Sequence, residues 1–307
     1  MPSPYCGKEK KWGVKIDVHG GVFHCWKCGT KASFKDFLEK VGRKDLIRME
    51  YQNSISTKLT PLKDEKEENE EEELPIPKLP FRLKRILSDS YLDGRGFKKC
   101  HYDLFEPSET NSVLEKNLRN YIIFKMKMDG KLVGWIGRSR YSKEWQKKDL
   151  ERAKETGTKP HLRYENSIGT NFTKILGGFD ALSSSDKDVI IVEGLFDKVG
   201  IDNLLQLWDC NSLKCVFTFG KNISKEQISY LERKGIKNVI LMYDDATVEE
   251  SKSAGLMLGK KFNTKIAYLY KSGIDPGDMD MNYLDDVLNN LYDPINFYVS
   301  NIKKLWV

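Results

Sequence analysis

Two apolar, β-branched runs constrain this chain more than any other feature: Val-Ile-Ile-Val at 189–192, closed by Glu193, and Val-Ile-Leu-Met-Tyr at 239–243, closed by Asp244 and Asp245. Such runs read as strands buried on both faces, the pattern of a parallel α/β sheet. Ligands of such sheets collect at the carboxyl ends of the strands. A third run, Lys-Ile-Ala-Tyr-Leu-Tyr at 265–270, precedes Asp275 and Asp278 in Asp-Pro-Gly-Asp. Carboxylates from three strand ends predict a cradle for Mg²⁺, a hard cation that prefers oxygen ligands, or for Mn²⁺ in its place.

The motifs Glu193-Gly194, with Asp197 a helical turn later, and Tyr243-Asp244-Asp245 resemble the TOPRIM domain shared by topoisomerases and primases, over residues 188 to about 290. That family's second acid falls at position 246, which is Ala here. Asp245 or Glu249 must substitute, or that contact is missing.

The chain has 307 residues, enough for two or three domains, and 51 Lys plus Arg against 45 acids. The excess is uneven. Residues 62–75 carry eight acids against two lysines, and without that segment the balance is 49 to 37, a net of +12 that suits a polyanionic partner. The run from Lys63 to Pro77 cannot bury apolar surface and repels itself, which predicts an extended linker. No segment has the roughly 20 apolar residues of a membrane span. A cytoplasmic location follows as the expectation, with the six cysteines reduced.

Near the N-terminus, Phe-His-Cys-Trp-Lys-Cys-Gly at 23–29 presents Cys25 and Cys28 as a Cys-x-x-Cys knuckle, with Cys6 upstream in Pro-Tyr-Cys-Gly. This reads as a zinc ribbon, whose metal supplies folding energy that so small a module cannot draw from a core. The fourth ligand is open among Ser3, an imidazole of His19 or His24, and water. Strand alternation should turn His24 away from Cys25. The knuckle and the following Ser33-Phe34-Lys35-Asp36-Phe37-Leu38 resemble the N-terminal ribbon of bacterial and bacteriophage DNA primases.

Between linker and acidic strands, residues 81–93 look helical, and Tyr91-Leu92-Asp93-Gly94-Arg95-Gly96 resembles the turn that opens the primase catalytic core. Met128-Asp129-Gly130-Lys131 is a hairpin signal between apolar strands, the second of which exits into Arg138-Ser139-Arg140. A polar insert at 141–158 reads as loop or helix, and Trp135 and Trp145 read as packing residues. Lys159, His161, Arg163, Tyr164, Asn166 and then Lys174 resemble the basic subdomain of primases, whose cations line the template and nucleotide groove. Cations interleaved with aromatics suit a single strand, pairing with phosphates while bases stack.

The predicted organisation is a mixed α/β multidomain chain: a zinc ribbon at 1–42, an acidic linker at 43–80, a basic α/β subdomain at 81–185, and a parallel-sheet domain with C-terminal helices at 186–307. The family resemblance implies a DNA primase that copies single-stranded DNA from ribonucleoside triphosphates by two-metal phosphoryl transfer. In that scheme Glu193, Asp244 and Asp245, with Asp275 and Asp278, hold magnesium. Arg138, Arg140, Lys159, Arg163, Tyr164 and Asn166 hold template and nucleotide. Lys174 acts beside the acids, and both Lys174 and Arg138 are expected in a solvent-filled groove. The absence of a Gly-x-x-x-x-Gly-Lys-Ser/Thr sequence implies that a helicase partner acts in trans. Two alternatives share these residues: a TOPRIM nuclease, and a non-catalytic zinc-ribbon DNA-binding factor.

Overall fold

A computed structural model describes residues 2–7, 12–17, 20–26, 28, 30–43 and 76–302. The chain divides into two compact units, Met1–Glu72 and Glu73–Val307. Most of the expected linker, with residues 44–60 and His19, lies outside the described residues.

In the first unit, strands β1 (Trp12–Asp17), β2 (Gly20–Cys25) and β3 (Lys31–Ser33) form an antiparallel sheet in that order. Helix α1 (Phe34–Lys40) follows directly, because the Ser33 hydroxyl accepts the Asp36 N–H and caps its first turn. Alternation along β2 buries Phe23 and Cys25 completely and leaves His24 half-exposed, as the sequence pattern requires.

The second unit holds two sheets. One is antiparallel, in the order β4 (Leu83–Arg85), β5 (Ser108–Thr110), β6 (Tyr121–Met128), β7 (Lys131–Ser139), β8 (Tyr164–Asn166). Its hairpin turns at Asp129 and Gly130, both at positive φ (51° and 75°), the geometry for which Asp-Gly is favoured. Two short helices, α2 (Ser90–Gly94) and α3 (Lys99–Phe105), fill the connection from β4 to β5. The expected helix at 81–93 is therefore mostly wrong. Leu83–Arg85 pairs with β5, and the helix cannot start before Asp89, whose carboxylate accepts the N–H groups of Tyr91 and Leu92. The polar insert forms helix α4 (Lys143–Thr156), capped by Ser142 and closed by Gly157.

The other sheet is parallel: β9 (Asp188–Val192), β10 (Leu213–Phe217), β11 (Asn238–Leu241) and β12 (Asn263–Ile266), in spatial order β10-β9-β11-β12. The parallel sheet expected in residues 186–307 is present. Helices α5 (Leu195–Leu205), α6 (Lys225–Lys234) and α7 (Val248–Leu258) make the crossovers, and α8 (Met281–Asn289) and α9 (Pro294–Ile302) follow. The third apolar run gives only a short strand, since pairing with β11 ends at Ile266.

One hydrophobic core runs beneath both sheets, from Ile122 and Phe124 of β6 to Val189–Val192 and Leu241. On the other face of the hairpin, Tyr121, Ile123 and Trp135 form a second small cluster with Leu118. Burial on both faces explains why the Tyr-Ile-Ile-Phe run carries no polar alternation. Among the described residues, no helix is long and apolar enough to cross a membrane.

Candidate functional site

The carboxyl edge of the parallel sheet opens into a cavity of about 820 Å³, all within the second unit. Glu193, Asp197, Asp244, Asp275 and Asp278 line it. Arg95, Arg138, Arg163, Tyr164 and Asn166 line it as well.

Each acid is positioned by a local feature of the chain. Glu193 ends β9, and its Oε1 accepts the Asp244 N–H and the Thr247 hydroxyl, both at 3.1 Å, which ties the ends of β9 and β11 together. Asp197 sits in the first turn of α5. The Asp-Pro-Gly-Asp segment forms a 3₁₀ turn (Pro276–Asp278) that reaches α5 through a joint of two glycines. A Cβ added to Gly200 would lie 2.5 Å from the Gly277 Cα, and one added to Gly277 would lie 2.8 Å from the Phe196 carbonyl oxygen. Only residues without side chains allow this approach, which delivers Asp275 and Asp278 to the cavity.

Negative charge concentrates here, and none of the five acids makes an ion pair within 4 Å among the described residues, although the charge of Lys221 reaches Glu193. Burial, then the charges of Glu193, Asp275 and Asp245, push Asp244 up to about 7. Asp197 also rises to about 7, through burial and then the charges of Asp244 and Asp275. Burial raises Glu193 as well, against the hydrogen bonds from Asp244 and Thr247. Asp244 Oδ1 is buried with no hydrogen-bond partner. An orphaned carboxylate oxygen inside an anionic cluster fits a site built for a hard cation. The acids do not close into one tight cage: among the described residues, the ligand atoms of Cys6, Cys25 and Cys28 form the one group of three or more within 4.8 Å of one another. A wider spread matches Mg²⁺, which keeps waters and takes substrate phosphates alongside one or two carboxylates.

The arginines are more enclosed than the sequence implied. Arg138 is only 5% exposed, so the expectation of a solvated groove position is corrected. Its Nε donates to the Tyr91 hydroxyl at 3.1 Å, and its guanidinium lies 4.7 Å from the Tyr164 ring centroid and 5.4 Å from that of Phe196. Its Nη1 is buried without a partner. Arg95, carried by the turn after α2, lies 5.5 Å from the other ring contact, Phe196. Sequence reading quoted Arg95 and Asp197 but gave neither a role; the signal was their spacing from Tyr91 and from Glu193.

Other expected site residues fall elsewhere. Arg140 does not line the cavity: β7 ends at Ser139, and Arg140 just beyond it bridges Asp89 (2.8 Å) and Glu109 (3.0 Å). Lys159 faces Glu165 at 3.6 Å in a different hollow. Lys174 ends a 3₁₀ turn (Phe172–Lys174) outside the cavity lining, its carbonyl accepting the Tyr230 hydroxyl. Asp245 accepts the Gly273 N–H at 3.4 Å, and Glu249 is exposed and paired with Lys252, so neither proposed substitute for the acid at 246 lines the cavity.

In the first unit, Cys6 and Cys25 Sγ atoms are 3.8 Å apart and Cys28 Sγ lies 3.1 Å from the Thr30 hydroxyl. Three convergent thiols, one buried and one exposed, have the donor chemistry of a zinc site. His24 is not among the converging ligands; its ring sits 4.9 Å from that of Trp26. Ser3 is buried, with its hydroxyl accepting the Tyr5 N–H at 3.3 Å.

No family model matches the chain. A curated DNA primase of Deinococcus radiodurans is 24% identical over 314 residues, covering 88% of this chain and 51% of that protein. The chain thus spans about half the length of the curated relative it matches. Among solved structures, the primase fragment of the bacteriophage T7 primase–helicase protein aligns over 94% of this chain and 96% of its own, at 14% identity and a TM-score of 0.44. Primase domains in a bacteriophage T7 lagging-strand polymerase complex align over 70% of this chain and 98% of theirs, at 13% identity and 0.46. The likeness in sequence, over most of the chain, is to a DNA primase, the protein type that its own motifs resemble.

Proposed function

We propose that this chain is a DNA primase, a nucleotidyltransferase that makes short RNA primers on single-stranded DNA, with a TOPRIM-type acidic centre and an N-terminal zinc ribbon. One observation carries the reading above the others. A cluster of acids and a set of arginines held against aromatic rings line one cavity, as joining a ribonucleotide 3′-hydroxyl to a triphosphate beside a polyanionic template requires.

Glu193, Asp197, Asp244, Asp275 and Asp278 are the residues that would hold Mg²⁺, or Mn²⁺. When bound, such ions neutralise phosphate charge and lower the pKa of an attacking 3′-hydroxyl. Glu193 orients the Asp244 backbone, so the two strand ends keep a fixed separation. Arg138, clamped between Tyr91, Tyr164 and Phe196, offers the unpartnered Nη1 to an anionic oxygen. Arg163 and Asn166 extend that lining along β8, and Tyr164 presents a ring to a base or sugar. Lys174, Lys159, Arg140 and Asp245 fall outside the cavity lining, so any part they take is at a distance from the acids. The ribbon would contact the initiation sequence, and a replicative helicase would act in trans. The proposed setting is cytoplasmic.

The decisive test incubates the protein with single-stranded DNA, Mg²⁺ and labelled ribonucleotides. New oligoribonucleotides support the reading. Shortened DNA points instead to a nuclease, and binding without either product to a non-catalytic factor.

A further inference from the structure

The second unit carries another hollow, of about 860 Å³, built from different side chains. Strand β8 separates the two: Tyr164 and Asn166 line the acidic cavity, whereas Glu165 between them lines the hollow. Strand alternation therefore places the hollow on the opposite face of the antiparallel sheet, over the small cluster that contains Tyr121.

Its centre is aromatic. Tyr141 and Trp145 stack at 3.7 Å between ring centroids, 13° apart, and His161 packs edge-on to both at 4.9 and 5.6 Å. The Asn120 amide donates to the Tyr141 hydroxyl, and Ser139 and His161 share a 3.0 Å hydrogen bond, so the stack is held in place from behind. Trp145 nevertheless remains 38% exposed. Around it stand Lys116, Arg119 and Lys148, all exposed and none with an ion-pair partner among the described residues. The hollow's other cations are neutralised, Arg152 by Asp149 and Lys159 by Glu165.

We propose that this hollow is a second binding site for single-stranded nucleic acid, in which exposed Trp145 stacks on a base while Lys116, Arg119 and Lys148 hold flanking phosphates. A fixed aromatic surface with unpaired cations at its rim is the combination that binds single strands without reading sequence. An acidic peptide would satisfy the cations but leave the aromatic face without a matching plane. The hollow would grip the strand on one side of β8 while the acidic cavity acts on the other, so a template would pass around the edge of the sheet. Identification of that strand as template rests on the proposed function; the binding itself does not.

The test measures affinity of the full chain for fluorescent oligothymidylate, without nucleotides or divalent metal, across a salt series. Trp145→Ala should weaken binding about tenfold, and Trp145→Phe should restore most of it. Arg119→Ala with Lys148→Ala should make the slope of log affinity against log salt shallower by about 1.4, two lost contacts at roughly 0.7 each. Synthesis on a template of only a few nucleotides should be unchanged in all three variants, while longer templates lose efficiency. Wild-type affinity and slope in Trp145→Ala and in the double variant would overturn the proposal. So would displacement of no DNA and binding of poly-glutamate alone. If Trp145→Ala fails to fold, the charge variants decide the matter, since both side chains are exposed. A wild-type chain that binds oligothymidylate through this hollow but makes no primers would sink the primase reading and leave the site standing.

Discussion

Neutralising Asp244 should stabilise the metal-free protein while destroying the metal site. The carboxyl moves from an ordinary 3.8 to about 7 on folding, through burial and the charges of Glu193, Asp275 and Asp245. A raised carboxyl pKa means that the folded state disfavours the anion. The penalty is absent below about 3.8, grows as pH rises from there to about 7, and is complete above it. Three pKa units correspond to about 4 kcal/mol for an isolated group at 1.36 kcal/mol each. Shared repulsion among the acids and partial solvent access reduce this to roughly 1–2 kcal/mol. Asp244→Asn keeps the shape, and Oδ1 has no hydrogen bond to lose. Without divalent metal at pH 8, the variant should melt about 3–6 °C above wild type, and the difference should vanish near pH 4. Adding Mg²⁺ should reverse the order, because ligand binding stabilises only the chain that binds it. Thermal melts followed by circular dichroism, with and without Mg²⁺ at both pH values, provide the check. A variant less stable than wild type at pH 8 without metal, or equally stabilised by Mg²⁺, would refute the claim that these acids repel one another and form a cation cradle.

Four further outcomes follow from the same geometry. Glu193→Gln and Asp244→Asn should each lower primer synthesis about a hundredfold or more with single-strand binding nearly intact, measured by product formation and anisotropy on the same preparations. Gly200→Ala should destabilise the fold by about 1–3 kcal/mol and weaken Mg²⁺ binding, since its methyl meets the Gly277 backbone; a denaturant melt and a metal titration read the two effects. Lys125, then Lys127, hold Glu106 down to about 2, so its stabilisation is complete above about pH 4.5 and disappears as pH falls toward 2; the stability gap between wild type and Glu106→Gln, about 1 kcal/mol at neutral pH, should close over that window. Purified protein should contain one zinc per chain under reducing conditions, and Cys25→Ser should lose it; metal content below about a tenth of an equivalent would exclude the ribbon assignment.

The parallel sheet and its acidic edge were legible because a doubly buried strand has a compositional signature and its end is marked by the first charge after it. Glu193 and Asp244 follow directly from that rule, Asp275 and Asp278 from the acidic Asp-Pro-Gly-Asp turn after the third run, and the cavity contains all four. Arg138 and Arg140 show where it stops. Two residues apart, they look equivalent in sequence, but one is clamped in the cavity and the other is consumed by Asp89 and Glu109. Helix signals at 81–93 failed because Leu83–Arg85 has a strand partner 23 or more residues away, information that no local window contains. Spacing from Glu193 and Tyr91 marks Asp197 and Arg95, but their part in the cavity depends on tertiary packing, for Arg95 against the ring of Phe196, which no local window contains.

The acids of the cavity come from segments around 193, 244 and 275, far apart along the chain, and meet only when the parallel strands are in register. Their mutual repulsion is therefore a property of the finished structure rather than of the partly formed one. In kinetic terms the expectation is that the strand ends close after the folding barrier, so that the repulsion acts on its native side. Removing a charge should leave the folding rate nearly unchanged and slow unfolding, the signature of a contact absent from the transition state. A chain that carries such a cluster opens more readily than its core packing alone would dictate, and a bound cation would lengthen the lifetime of the closed state.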